Sequence, residues 1–363
     1  MHPVGPANPK LILWPTAGVL LGFLAAGNPF YAPQIPISTG LVCWLANLIL
    51  VLWLSGSATG ARVAVLMGGL LLAVPCFVHA KPLERGLLMC LMGLPITLAA
   101  LMIARPAMPA LRDRVAFLCT QLGSERIKPI PRRCDFIAGR QLFLATLVFA
   151  VTLMTVKSIP APGGWLALRW FAGGVMLLAV GETFTASHNI WSALTGFEGP
   201  RFFQSPWRAA SIGEFWARRW NLPTSRLFHR ICFAPLARHS VWLAVIATFA
   251  LSGVAHFALA YLATMKLKLA ICFGLFFCVQ PVLIVIERTW GIRRWPLIAA
   301  SLWTLTALTV TAPLFVEPAL RAAEPNWGGT DEWFAPTAWM VGLVFLFCGG
   351  LAMAAAWSFQ KDA

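Results

Sequence analysis

The sequence predicts an all-α, polytopic integral membrane protein with about ten transmembrane helices. Three observations carry that expectation. Of the 363 residues, 59% are hydrophobic and only 11% charged, against about 25% charged in an ordinary soluble domain, and the mean hydropathy is +0.76. Ten apolar runs have about the length needed to cross the hydrocarbon core, roughly 20 residues. With the N-terminus placed in the cytoplasm, 21 of the 28 Lys and Arg fall on the cytoplasmic side, as the positive-inside rule requires.

The runs lie near 11–26, 38–55, 62–79, 87–104, 141–158, 165–184, 241–264, 269–286, 296–315 and 337–358. An even number of spans puts both termini in the cytoplasm. The first run follows Lys10 and is short enough to pass for a signal-peptide core ending near Ala25 and Ala26. A retained helix is expected, because its removal would invert the order of the loops. No repeat or low-complexity tract divides the chain, so 1–363 reads as a single membrane domain with two large cytoplasmic insertions, 105–140 and 185–240.

The net charge of +15 does not indicate a nucleic-acid partner, since the basic residues sit in loops where topology accounts for them. The nine cysteines show no C-x-x-C spacing. Cys43, Cys90, Cys272 and Cys278 lie within spans and read as small apolar residues, so neither a metal site nor a disulfide framework is expected.

In the first insertion, Arg112, Arg114, Arg126, Lys128, Arg132 and Arg133 suit anionic lipid head groups. The segment 316–336 carries Glu317, Glu324, Asp331 and Glu332 and reads as a solvated outer cap. The second insertion holds S-I-G-E at Ser211 to Glu214, a capping box that opens a helix. Pro223 limits that helix to about eleven residues, too short to span, so it is expected to lie at the interface or dip into the protein. Helical spacing puts Ile212, Phe215, Trp216, Arg219, Trp220 and Leu222 on one face and Glu214, Arg218 and Asn221 on the other. A guanidinium on an aromatic face needs a partner. Stacking of Arg219 on Trp216 or Trp220, an anion, or snorkelling in an aromatic belt would each serve.

Of the six histidines, His256 alone lies well inside a run, 241–264. An ionisable group at that depth marks a candidate functional site. Ser252 is one turn earlier and could orient the ring. The small residues Gly253, Ala255, Ala258 and Ala260 suit either a substrate's approach or close helix packing. A histidine that merely hydrogen-bonds a neighbouring helix is the alternative.

Two motifs decide between them. S-I-G-E-F-W-A-R-R-W-N at Ser211 to Asn221 is followed by S-G-V-A-H at Ser252 to His256, and His256 stands thirty-five positions after Asn221. The pair resembles the membrane-bound O-acyltransferases, most closely their wax synthase-like branch, which shows S-x-x-x-F-W-G-R-R-W-N or -H and then S-G-x-x-H at that spacing. The stretch from Gly199 to Ser211 is also similar, so the resemblance covers 199–261. Two positions depart from the pattern: Ala217 replaces the usual Gly, and Phe257 the Glu frequent in plant members.

The resemblance implies helices arranged around a central tunnel, in a bacterial inner membrane or endoplasmic reticulum membrane. It implies transfer of an acyl group from acyl-CoA to the hydroxyl of a lipidic alcohol, with no bound cofactor. His256 would be the general base, a role that typically contributes about 10²- to 10⁴-fold. Asn221 would position the acyl carbonyl or the acceptor, and Trp216, Trp220, Arg218, Arg219 and Ser252 would line the substrate site. Arg218, Arg219 and Arg226 suit the phosphates of coenzyme A. Two other readings compete: a transporter or channel with an intramembrane histidine, and a cyclase or isomerase acting on a polyprenyl lipid. The first would show several midplane charges, whereas Arg169 is the one other charge clearly within a run. The second would need a strong acid at depth.

Overall fold

The structure, a computed structural model, describes residues 35–71, 73–103, 110–111, 114–115, 129–159, 165–196 and 202–323. It is helical, as lipid demands of a chain that must satisfy its own backbone. In chain order come α1 (Ile37–Leu54), α2 (Ala58–Leu71), α3 (Pro82–Ile103), α4 (Phe136–Ser158) and α5 (Leu166–Thr195). The short α6 (Ile212–Glu214), α7 (Leu222–Phe228) and α8 (Ala234–Ala237) follow, and then α9 (Val241–Thr264), α10 (Leu267–Thr289), α11 (Leu297–Thr311) and α12 (Pro313–Ala323). A two-residue parallel bridge pairs Ile35 with Val78 and Pro36 with His79.

Among the described residues, six helices are long and apolar enough to cross a membrane, or up to seven if α11 and α12, bent by 49°, form one broken span. The expected runs from 38–55 to 296–315 all fall on helices, that at 87–104 on α3. The runs at 11–26 and 337–358 lie outside the described residues. The outer faces carry large apolar side chains with no protein partner, such as Phe143, Leu147, Val151 and Met154 on α4. In lipid such a surface costs nothing.

Two hairpins organise the bundle, α4 with α5 and α9 with α10. The second is held by close approach of two glycines. A Cβ at Gly253 would stand 3.0 Å from the Gly274 carbonyl oxygen, and one at Gly274 would stand 3.0 Å from the Gly253 oxygen. Gly253 therefore serves helix packing, the second of the roles open to it from sequence.

Three expectations are corrected. Helix α5 does not stop at 184 but runs on to Thr195, where Gly196 ends it at φ 83°. The polar stretch 185–195 marks where a helix leaves lipid, not where it ends. Glu317 is not part of a solvated cap: it is fully buried in α12, and Glu324, Asp331 and Glu332 lie outside the described residues. Its carboxylate accepts from Arg169 Nε (3.3 Å), Trp170 Nε1 (3.0 Å) and Arg321 Nε (2.9 Å). Arg169, the intramembrane charge, is thus ion-paired. Arg114 does not face head groups: it is buried, and its Nε donates to the Leu52 carbonyl at 2.6 Å, where the last turn of α1 carries partial negative charge.

Because backbone oxygens cannot move aside as a side chain can, Gly253→Ala and Gly274→Ala should each cost about 1 to 3 kcal/mol of stability. A lowered melting temperature of the purified protein in detergent is the expected reading.

Candidate active site

The motif segment begins as the capping box predicts and then departs from it. Ser211 Oγ accepts from the Glu214 amide at 3.0 Å. Glu214 Oε2 reaches back not to Ser211 but to the Ala210 amide, at 2.9 Å. From Phe215 to Arg219 the chain widens into a π-helical turn, closed by the Trp220 amide on the Phe215 carbonyl at 2.9 Å. Such turns concentrate at functional sites.

The π turn corrects two expectations. An α-helix would set Glu214 and Arg219, five apart, on different faces; the i→i+5 register brings them together. Arg219 pairs with Glu214 Oε1 through Nη2 (2.6 Å) and Nε (2.7 Å), and its Nη1 reaches the carbonyls of Gln204 (3.2 Å) and Ser205 (3.3 Å). Its partners are therefore a carboxylate and two carbonyls. The helix also ends before Pro223. Trp220 is extended, and Asn221 adopts φ 41° and ψ 59°, a left-handed conformation that asparagine tolerates better than most residues. Pro223 instead sits in the first turn of α7, where its missing N–H is no loss. The Leu222 amide on the Phe202 carbonyl and the Gln204 amide on the Arg219 carbonyl, both 2.9 Å, brace this reversal.

His256 sits in the middle of α9, half-buried, facing α10 and α12. Its Nδ1 lies 2.8 Å from the Ser252 backbone carbonyl, while the Ser252 hydroxyl is at 3.5 Å. A carbonyl only accepts, so Nδ1 must carry the hydrogen. In the neutral ring this leaves Nε2 with a free lone pair. Ser252 thus orients the ring as the sequence suggested, but through its main chain. The ring stacks on Phe277 (centroids 4.0 Å, 30°) and meets the edge of Phe273 at 5.4 Å, with Phe315 of α12 at 6.1 Å.

The histidine and the motif segment meet through α10. Trp216 packs against Phe277 (5.6 Å) and Phe276 (6.0 Å), so Phe277 touches Trp216 and His256 alike. Trp216 Nε1 donates to Gln280 Oε1 at 3.1 Å, and fully buried Gln280 donates in turn to the Phe276 carbonyl at 2.9 Å. One helix repeat further, buried Glu287 accepts the Ile212 amide at 2.7 Å, a carboxylate laid on the exposed donors of the motif helix. Its other oxygen faces Arg293 at 3.7 Å. Trp220 stacks on Phe215 at 5.4 Å and meets Phe203 at 4.8 Å. Arg218 and Arg226 are exposed.

Sequence reasoning missed Gln280 and gave Glu287 no part in the site. Both lie inside or at the end of an apolar run, and a buried polar residue seven after another on one helix is the signal that could have found them. The structure joins His256, Ser252, Trp216 and Trp220 through the aromatic side chains. Asn221 adjoins Trp220 but shares no hydrogen bond with His256. A groove of about 450 Å³ between α4 and α5 is lined by apolar residues with Arg140, Gln141 and Glu182 at one end, apart from these residues. Among the described residues, no group of three or more His, Cys, Asp or Glu could hold a metal ion.

Long apolar helices around an intramembrane histidine with a free ring nitrogen define a multi-pass membrane protein with a candidate general base. Residues 199–279 match the model of the Membrane bound O-acyl transferase family. The chain is 32% identical over 133 residues to an Arabidopsis thaliana protein named "Probable long-chain-alcohol O-fatty-acyltransferase 7", over 32% of this chain and 39% of that one. It is 25% identical over 205 residues to "Probable long-chain-alcohol O-fatty-acyltransferase 6", over 53% and 58%. "Diacylglycerol O-acyltransferase 1" of the same plant matches at 32% over 112 residues, 30% of this chain and 19% of that one. The chain spans less than two thirds of the length of these relatives. The matched segment contains both motifs, and over that segment the chain is similar to membrane-bound O-acyltransferases.

Because the main chain of Ser252 holds His256, Ser252→Ala should retain activity within about threefold, whereas His256→Ala should abolish it; acyl transfer by the two purified variants is the check. Asn221→Gly keeps the left-handed backbone and removes the amide. A folded Asn221→Gly protein with transfer reduced about a hundredfold is expected if that side chain positions substrate.

Proposed function

We propose that the protein is a membrane-embedded O-acyltransferase that moves an acyl group from acyl-CoA to the hydroxyl of a lipidic alcohol. The observation that carries this reading is the Nδ1 contact to the Ser252 carbonyl at 2.8 Å, which leaves Nε2 as a base among aromatic rings. Nε2 takes the hydroxyl proton as the alcohol oxygen attacks the thioester carbonyl carbon. The tetrahedral intermediate then expels coenzyme A, whose sulfur leaves with the C–S electron pair and collects the proton from the imidazolium. An ester and the free thiol result, and the histidine returns to its neutral form. No acyl-enzyme is required.

Asn221 positions the acyl carbonyl or the acceptor across a shared tunnel, and Trp216 and Trp220 line it. The exposed Arg218 and Arg226 contact coenzyme A phosphates from the cytoplasmic side. Arg219, engaged by Glu214, stiffens the wall that the arginines stand on. In this reading the chain crosses the membrane ten times with both termini in the cytoplasm, and membrane lipid supplies the acceptor. The ion pair between Arg169 and Glu317 neutralises a buried charge that a transport pathway would need free.

The decisive experiment supplies radiolabelled palmitoyl-CoA and hexadecanol to the purified protein in lipid nanodiscs. A labelled wax ester from the wild type and none from His256→Ala is the expected result; equal labelling of the two would end the proposal. A base must be unprotonated to act, so the rate should rise with pH through the imidazole titration and then level off. A profile flat into strong acid would contradict the assignment of His256.

A further inference from the structure

Helix α12 is short, 11 residues, and follows a 49° bend. Its two faces do different things. Val316 and Leu320 press on α5 at Gly173, where a Cβ would stand 2.5 Å from Val316 Cγ1. Phe315 and Ala319 point the other way, into the cluster of Ala260, Ala270 and Phe273. There the Phe315 ring lies 4.5 Å from Phe273, 5.1 Å from Phe276 and 6.1 Å from His256. Phe315 is thus one wall of the histidine's surroundings, carried by a short helix that packs through apolar residues on two sides.

Glu317 adds a polar anchor to the apolar contacts of Val316 and Leu320. It is 0% exposed and takes three donors, two of them from α5: Arg169 Nε and Trp170 Nε1. Arg169 also donates to the carbonyls of Val156 (3.2 Å) and Ile159 (3.0 Å), which ties in the end of α4. A buried ion pair is seldom the cheapest source of stability, since apolar side chains of similar volume do as well. What it adds is register, because a charge cannot slide to an apolar neighbour without losing its partners.

We propose, on the basis of the acyltransferase reading, that Glu317 is a positioning residue. Its grip on Arg169 and Trp170 sets the depth at which Phe315 stands against His256, and hence how the acceptor hydroxyl meets Nε2. Misplacement of about 1 Å at a reacting centre can cost up to about a hundredfold in rate. Glu317→Asp keeps the charge and shortens the arm. Trp170→Phe removes one donor and leaves every charge in place, so it serves should the first variant fold poorly.

The test uses the full chain in nanodiscs and two readouts. The first needs no activity: 4-fluorophenylalanine at position 315, whose fluorine resonance reports its distance from neighbouring rings. Glu317→Asp, and to a smaller extent Trp170→Phe, should move that resonance. The second is acyl transfer per folded molecule, with kcat expected to fall roughly tenfold at nearly constant KM for palmitoyl-CoA. Phe315→Ala should reproduce that loss, and the double variant should be no slower than either single one. An unmoved resonance in folded Glu317→Asp protein, or full kcat in Phe315→Ala, overturns the proposal. Absence of transfer in the wild type would overturn the acyltransferase reading instead, and the fluorine readout would still decide whether Glu317 sets the position of Phe315.

Discussion

Lipid supplies no hydrogen bonds, and the whole site follows from how one imidazole meets that constraint. His256 uses the carbonyl of its own helix, four residues back, at 2.8 Å. A backbone acceptor is present whatever side chain occupies position 252, and its direction is set by the helix. The bond therefore fixes both the tautomer and the plane of the ring without recruiting a second polar residue into the membrane. The ring plane in turn dictates the flat contact with Phe277. That contact depends on α9 and α10 lying as close as the Gly253 and Gly274 crossing permits.

Helix α10 is the element on which the parts converge. Phe273 and Phe277 face the histidine, whereas Gln280 and Glu287 hold the motif helix at Trp216 and at Ile212. These contacts recur at three-, four- and seven-residue intervals, so one broad face of one helix serves both partners. Phe277 is the residue common to the two. A motif segment that sits in a surface loop by hydropathy is thereby held against an intramembrane residue with no direct bond between them. The π turn contributes by making Trp216 and Arg219 diverge, the indole toward α10 and the guanidinium toward Glu214.

Much of the helical framework was legible in the sequence because apolar length is a strong signal, and each of the six helices long and apolar enough to span lies on an expected run. Helix α5 was read too short because hydropathy measures contact with lipid and not helicity. The π turn was invisible because S-I-G-E specifies how a helix starts and says nothing of its later pitch. Pro223 was read as a stop although it suits a start equally well, and the left-handed Asn221 just before it is what separates the two helices. Glu317 was misread for a general reason: an acidic residue beside a run looks solvated until its partners, Arg169 and Trp170, are brought in from about 147 residues away. His256 and the aromatic motif, by contrast, announced themselves, because a lone histidine in an apolar run has no solvent to account for it.

The carboxylates near the motif segment bear on the proposal that places a base at His256. The chain has 13 acidic residues against 28 basic ones, so each buried acid has a choice of cations. Along the path from the motif segment to α12, every described carboxylate is committed. Glu214 holds Arg219 and the Ala210 amide. Glu287 holds the Ile212 amide and faces Arg293. Glu317 holds Arg169, Trp170 and Arg321. In each of the three, cations and amides of the frame engage the carboxylate. Nε2 of His256 is the basic atom among these groups that no such bond occupies. The acids build the frame, and the proposed proton transfer rests on the ring nitrogen that they leave free.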